Sequence, residues 1–123
     1  MAEVKGSSDF LGINHYTTSL VYPTKKRKWT YYSDYFSDSD TSEAQDPKWL
    51  GSASSWLKVA PFGIRKLMNW LGKNYGTHVP IYVTENGFSD SLGNLDDLHR
   101  IYYLKHYINQ LLKGTITILA WSY

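Results

Sequence analysis

Strand-like and helix-like segments alternate along the chain, and this alternation restricts the fold more than any other feature of the sequence. Asp9-Phe10-Leu11-Gly12-Ile13-Asn14 is a short apolar run ending in polar Asn14, His15 and Tyr16, as in a buried strand whose far end reaches a functional surface. Pro61 suits the first turn of a helix, and Ile64, Leu67, Met68 and Leu71 then recur on one helical face. Gly72, Asn74 and Gly76 tolerate the left-handed geometry that ends a helix, and Pro80 introduces the β-prone run Ile81-Tyr82-Val83-Thr84, which ends at Glu85. Past Asn86-Gly87, Asn94 with Asp96 and Asp97 predicts an N-cap and an acidic first turn. Ile101, Leu104, Ile108 and Leu111 predict an amphipathic helix stopping near Lys113-Gly114. Ile116 to Trp121 reads as a third strand.

The order strand, helix, strand, helix, strand implies parallel strands joined by crossovers, an α/β sheet or barrel. In both architectures ligand sites are built at the C-terminal ends of the strands. Those ends carry Asn14 and Tyr16, Glu85 and Asn86, and Trp121. Residues 17–55 lack sustained periodicity and carry Lys25-Lys26-Arg27-Lys28 followed by Trp29, Tyr31, Tyr32, Tyr35 and Phe36. Loops of this length inside a domain usually serve as lids or binding loops, so a long rim loop is expected here.

Composition excludes several functions. A net charge of +2 from 13 basic and 11 acidic residues supplies no strong field for nucleic acid or an anionic membrane. The Lys25–Lys28 cluster with its neighbouring rings could bind a single strand, but a solvated rim is the commoner role for four basic loop residues, so no nucleic-acid partner is expected. With no cysteine there is neither a disulfide framework nor a thiolate ligand. His15, His78, His99 and His106 show no metal-binding pair at helical spacing, so no metal and no cofactor are expected. No apolar stretch approaches a membrane span.

Glu85 places a charge at the end of a run that should be largely buried, and its surroundings are specific. Val83-Thr84-Glu85-Asn86-Gly87-Phe88 resembles the nucleophile motif of family 1 glycoside hydrolases, the β-glucosidase and lactase type. Upstream, Asp9-Phe10-Leu11-Gly12-Ile13-Asn14-His15-Tyr16-Thr17 resembles the same family's sixth barrel strand. Trp56-Leu57-Lys58-Val59-Ala60-Pro61-Phe62-Gly63-Ile64 is similar to its segment bordering the aglycone subsite, and Ala120-Trp121-Ser122 to the end of its eighth strand. The resemblance implies a partial (β/α)8 TIM barrel, approximately the last three strands with two intervening helices, filling residues 1–123 as one C-terminal barrel portion. It also implies Glu85 as nucleophile, Tyr16 as the residue that orients it and holds it as carboxylate, and Asn14, Trp56 and Trp121 as substrate-binding residues. The substrate would be a β-glycoside, hydrolysed with retention.

Retaining hydrolysis needs a second carboxyl group about 5–5.5 Å from the nucleophile. The family carries it in an Asn-Glu-Pro motif, which this chain lacks, its other glutamates being Glu3 and Glu43. After Lys113 the family pattern has a longer connection containing Asp-Gly, where this chain runs Gly114-Thr115-Ile116-Thr117-Ile118-Leu119. The expectation is a chain inactive alone, completed by the missing N-terminal barrel portion as partner. The alternative is a non-catalytic remnant that binds carbohydrate or protein through the same aromatic surface.

Overall fold

The computed structural model describes residues 6–24, 38–76, 79–91, 93 and 95–120, with the backbone alone over 115–120. Strand β1 spans Leu11–Asn14, β2 Leu20–Pro23 and β3 Thr41–Ala44. Helix α1 spans Phe62–Tyr75, β4 Ile81–Glu85 and α2 Leu98–Ala120. By internal contacts the chain forms two compact units, Met1–Thr18 with Leu50–Tyr123, and Ser19–Trp49.

In the larger unit β1 and β4 pair in parallel, Leu11 opposite Ile81, Gly12 opposite Tyr82 and Ile13 opposite Val83. The register then shifts between Ile13 and Asn14, so that Asn14 pairs with Glu85 and Thr84 is the extra residue of a bulge. The Thr84 hydroxyl lies 3.1 Å from the Ile13 carbonyl and 2.6 Å from Asn14 Oδ1, which satisfies the irregular step locally. Strand, helix, strand and helix follow in that order, with a sheet that does not close among the described residues, and this is a partial (β/α) barrel.

Helix α1 buries Ile64 and Met68 and half-buries Leu67 and Leu71, the face expected from their spacing. It ends where Gly76 adopts φ 75° and returns its N–H to the Gly72 carbonyl at 3.2 Å. Its start is held by threonines beyond β1. Thr17 Oγ1 donates to the Lys58 carbonyl at 2.6 Å and Thr18 Oγ1 to the Ala60 carbonyl at 2.7 Å. Around this junction Leu57, Val59, Ile64 and Met68 join Tyr103 and Tyr107 of α2 in the core, with Ile13, Ile81, Val83 and Leu111 packed against it.

Three features of α2 differ from expectation. It begins at Leu98, so Asp96 and Asp97 precede it and its first turn holds no acidic residue, while Asn94 lies outside the described residues. The aliphatic residues Ile101, Leu104 and Ile108 are exposed, and the face turned inward carries Tyr103, Tyr107 and Gly114. The helix also continues through Gly114 to Ala120, so the third strand expected over Ile116–Trp121 does not form. Residues 116–120 are helical, and Trp121 lies outside the described residues. A strand requires a neighbour to satisfy its backbone, whereas a helix satisfies its own, and the β-branched residues here lower helix propensity by less than about 1 kcal/mol each. Gly114 lies against α1, where an added Cβ would stand 3.4 Å from Met68 Cβ and 3.6 Å from Arg65 Cγ. These are ordinary contact distances, so Gly114 is a buried position of the α1–α2 contact inside the helix.

In the smaller unit β2 and β3 pair antiparallel, Leu20 opposite Ala44 and Pro23 opposite Thr41. This ribbon lies within the stretch expected to be a rim loop. Lys25–Lys28 and the rings of Trp29, Tyr31, Tyr32, Tyr35 and Phe36 lie outside the described residues. No helix among the described residues is long and apolar enough to cross a membrane.

Gly63 is the tightest position in the junction, since a Cβ there would meet Thr18 Oγ1 at 2.0 Å. Thr18 is held in place by its bond to Ala60. Gly63→Ala therefore gains up to about 1 kcal/mol of helix propensity but incurs an overpacking cost of about 1–3 kcal/mol. A lowered urea midpoint is expected, recovered in the double variant with Thr18→Ala. An unchanged midpoint for Gly63→Ala would show that the junction can relax.

Candidate active site

Because β1 and β4 run in parallel, their C-terminal ends lie side by side, and the ladder continues one step further with the His15 N–H donating to the Glu85 carbonyl at 3.0 Å. Tyr16 then reaches across, its phenol donating to Glu85 Oε2 at 2.5 Å, the short end of the range for a hydroxyl on a carboxylate. Asn14 lies on the same rim, opposite Glu85 in the register, with its Oδ1 taken by the Thr84 hydroxyl.

Trp56 stands 6.0 Å from Tyr16, ring centroid to centroid, edge to face at 82°. It is 56% exposed. A cavity of about 430 Å³ opens beside this pair, lined by Tyr16, Ser54, Trp56, Leu57, Gly87, Phe88 and Ser89. That is the size of a small-ligand site. Phe88 is also packed from behind, 5.8 Å from Tyr103 and 6.2 Å from His99. The structure thus brings together Glu85, Tyr16, Asn14 and Trp56, while Trp121 lies outside the described residues.

Sequence reasoning put Asn86 at this rim without a role and missed Tyr103 and Tyr107, which hold it. Asn86 Nδ2 donates to the His15 carbonyl at 2.7 Å and to the Tyr103 hydroxyl at 2.9 Å, and Tyr103 donates to the Tyr16 carbonyl at 2.7 Å. One helix turn on, Tyr107 stacks on Tyr103 at 4.1 Å and accepts the Ala60 N–H at 3.3 Å. The four-residue spacing of the two tyrosines was the available signal, but the aliphatic stripe of the same helix competed with it.

Burial keeps these phenols neutral. It pushes Tyr103 well above the ordinary tyrosine value, with the adjacent Tyr107 adding to the effect, and burial likewise raises Tyr107. Tyr16 is raised first by its hydrogen bond to the Glu85 carboxylate, which ionisation would break. Burial lowers the His15 imidazole, whose Nδ1 is enclosed without a partner among the described residues.

All three tyrosines are shifted upward. Above the unfolded value of about 10 the unfolded chain releases protons that the native state retains, so their stabilisation is complete below that pH and declines above it. Urea midpoints should therefore fall between about pH 10 and pH 11. Tyr103→Phe should flatten this decline and, at neutral pH, cost about 1–3 kcal/mol, because Asn86 and the Tyr16 carbonyl lose a shared buried partner. An identical alkaline profile in Tyr103→Phe would contradict the assignment.

Comparison with known proteins places the chain in a family. The profile of Glycosyl hydrolase family 1 matches residues 1–118. Lactase/phlorizin hydrolase of Homo sapiens is 45% identical over 112 residues, which is 90% of this chain and 6% of that protein. Klotho of Homo sapiens is 42% identical over 113 residues, 92% of this chain and 11% of that protein. The crystal structure of a rice β-glucosidase superposes with a TM-score of 0.81 at 32% identity, covering 92% of this chain and 26% of that one. The chain therefore spans only a small share of the relatives it matches. Matched over nearly its whole length, it belongs to Glycosyl hydrolase family 1.

Proposed function

We propose that these residues form part of the active site of a retaining β-glycosidase, and that the chain corresponds to the C-terminal portion of its barrel. The observation that carries this reading is the Tyr16–Glu85 hydrogen bond at the C-terminal ends of adjacent parallel strands, the face on which barrel enzymes build their sites. The names of the matched lactase/phlorizin hydrolase and β-glucosidase support a β-glycoside substrate.

In the proposed reaction the Glu85 carboxylate attacks the anomeric carbon, the glycosidic bond breaks, and a glycosyl ester forms on Glu85. A second carboxyl group protonates the departing oxygen, then takes a proton from the water that hydrolyses the ester, and the anomeric configuration is retained. Tyr16 occupies Oε2 and leaves Oε1 as the attacking oxygen. Trp56 borders the aglycone side, Asn14 contributes at the rim, and Trp121 is the platform for the sugar. Residues 17–55 would serve as the rim loop.

The second carboxyl group is assigned to the remainder of the barrel. No Asn-Glu-Pro, the motif in which the family carries this group, occurs in these 123 residues, and neither Glu3 nor Glu43 stands in such a context. The N-terminal barrel portion is therefore the proposed partner. General acid–base assistance is worth about 10²- to 10⁴-fold, so without it only substrates with good leaving groups should react.

A dinitrophenyl 2-deoxy-2-fluoro-β-glucoside tests this directly, because its leaving group needs no acid and fluorine slows hydrolysis of the ester. With the N-terminal portion supplied, mass spectrometry should find the sugar on Glu85 and not in Glu85→Gln. Tyr16→Phe should slow ester formation about 10- to 100-fold, the value of a hydrogen bond to a charged group. Labelling that persists in Glu85→Gln would refute the nucleophile assignment. Sugar binding without any ester would favour a non-catalytic binding module.

A further inference from the structure

Trp56 stands near the tip of a short hairpin over residues 51–58, closed by an antiparallel bridge between Gly51 and Lys58. Its base is well held. Leu57 is buried in the core, the Val59 N–H donates to the Leu50 carbonyl at 2.8 Å, and Thr17 bonds the Lys58 carbonyl.

Within the hairpin the Leu57 N–H donates to the Ser54 carbonyl at 3.0 Å and the Ser52 N–H to the Leu57 carbonyl at 3.1 Å, and Ser89 fastens the tip to the segment after β4. Ser89 Oγ accepts the Ser54 N–H at 2.9 Å and donates to Ser52 Oγ at 2.7 Å, while the Ser89 carbonyl accepts the Ala53 N–H at 3.1 Å. Ser52 Oγ in turn lies 3.1 Å from both the N–H and the carbonyl of Ser54. Ser89 follows Glu85 on the segment that leaves β4, and both Ser54 and Ser89 line the cavity beside Trp56. The contacts form a closed circuit: Glu85 to Tyr16, Tyr16 to Trp56, Trp56 through its hairpin to Ser54, and Ser54 through Ser89 back along the chain to Glu85.

We infer that Ser89 is a positioning residue, whose hydroxyl sets where the Trp56 ring stands relative to Tyr16 and Glu85. The functional weight of that position rests on the reading of Trp56 as the aglycone-side wall. Removing the hydroxyl leaves the Ser54 N–H and Ser52 Oγ each short of one partner in a partly buried setting, while Leu57 and Thr17 keep the base in place. The Ala53 N–H keeps its bond to the Ser89 carbonyl, so the tip stays attached and the fold is kept, while the hydroxyl contacts that fix the tip's orientation are lost.

The full chain labelled with 5-fluorotryptophan reports this directly, since its tryptophans give separate ¹⁹F resonances and Trp56→Phe identifies the relevant one. In Ser89→Ala the Trp56 resonance is expected to shift or broaden while that of Trp70, on the far part of α1, stays in place; Ser89→Thr restores it. Ser52→Ala, which removes the acceptor of the same hydroxyl, is expected to displace it too, and serves where Ser89→Ala fails to fold. A Trp56 resonance that is unmoved in a folded Ser89→Ala chain, or unmoved in Ser52→Ala where Ser89→Ala is unfolded, overturns the inference. Phenyl β-glucoside, added to the unsubstituted chain with the N-terminal portion, tests the underlying reading separately. Displacement by Ser89→Ala with no response to the glucoside would uphold the positioning role and refute the aglycone-side assignment.

Discussion

The register shift between β1 and β4 is the constraint on which the site depends. In a parallel pair, residues opposite one another present their side chains to the same face, and a slip of one residue reverses the faces. Ile13 pairs with Val83, so an unbroken ladder would place Glu85 opposite His15, on the face away from Asn14 and Tyr16. The extra residue, Thr84, moves Glu85 opposite Asn14 and so onto the face from which Tyr16 reaches it. Gly12 lies beside this step, where an added Cβ would stand at ordinary contact distance, 3.4 Å, from Thr84 Cγ2.

A carboxylate and a phenol at a strand end are useful only if the strand ends themselves are held, and α2 does this with its tyrosines. Tyr103 ties the Tyr16 carbonyl to Asn86, and Asn86 ties back to the His15 carbonyl, so both strand ends share one hydrogen-bond network. Tyr107 extends the same support to Ala60 at the entry to α1. This accounts for the inward face of α2. An aliphatic side chain in these places would leave carbonyl and amide groups unpaired under the helix, at about 1–3 kcal/mol each, whereas a tyrosine supplies apolar burial and a hydroxyl together.

How much of this was legible follows from which interactions are local. The spacing of Ile64, Leu67, Met68 and Leu71 located α1, and the β-prone run before Glu85 located β4, because helix and strand periodicity express the exposure of neighbouring residues. The same reasoning chose a face of α2 of which Leu111 packs inward while Ile101, Leu104 and Ile108 are exposed, and ended the helix too early at Gly114, which lies against Met68 and Arg65. Nothing near Gly114 in the chain reveals that contact. The strand expected after it had apolar, β-branched residues but no ladder partner among the described residues, and propensity alone does not supply one.

The sequence by itself determined the order of elements, the charged residue at the end of a buried strand, and the aromatic residues available to surround it, because each is a property of a short segment and its pattern. Tertiary structure decided that Thr84 would be bulged out, that Tyr16 would meet Glu85, and that Tyr103 and Asn86 would clasp the strand ends. Those outcomes depend on satisfying backbone and side-chain hydrogen bonds between segments far apart in the chain, and that requirement exists only once the segments are packed together.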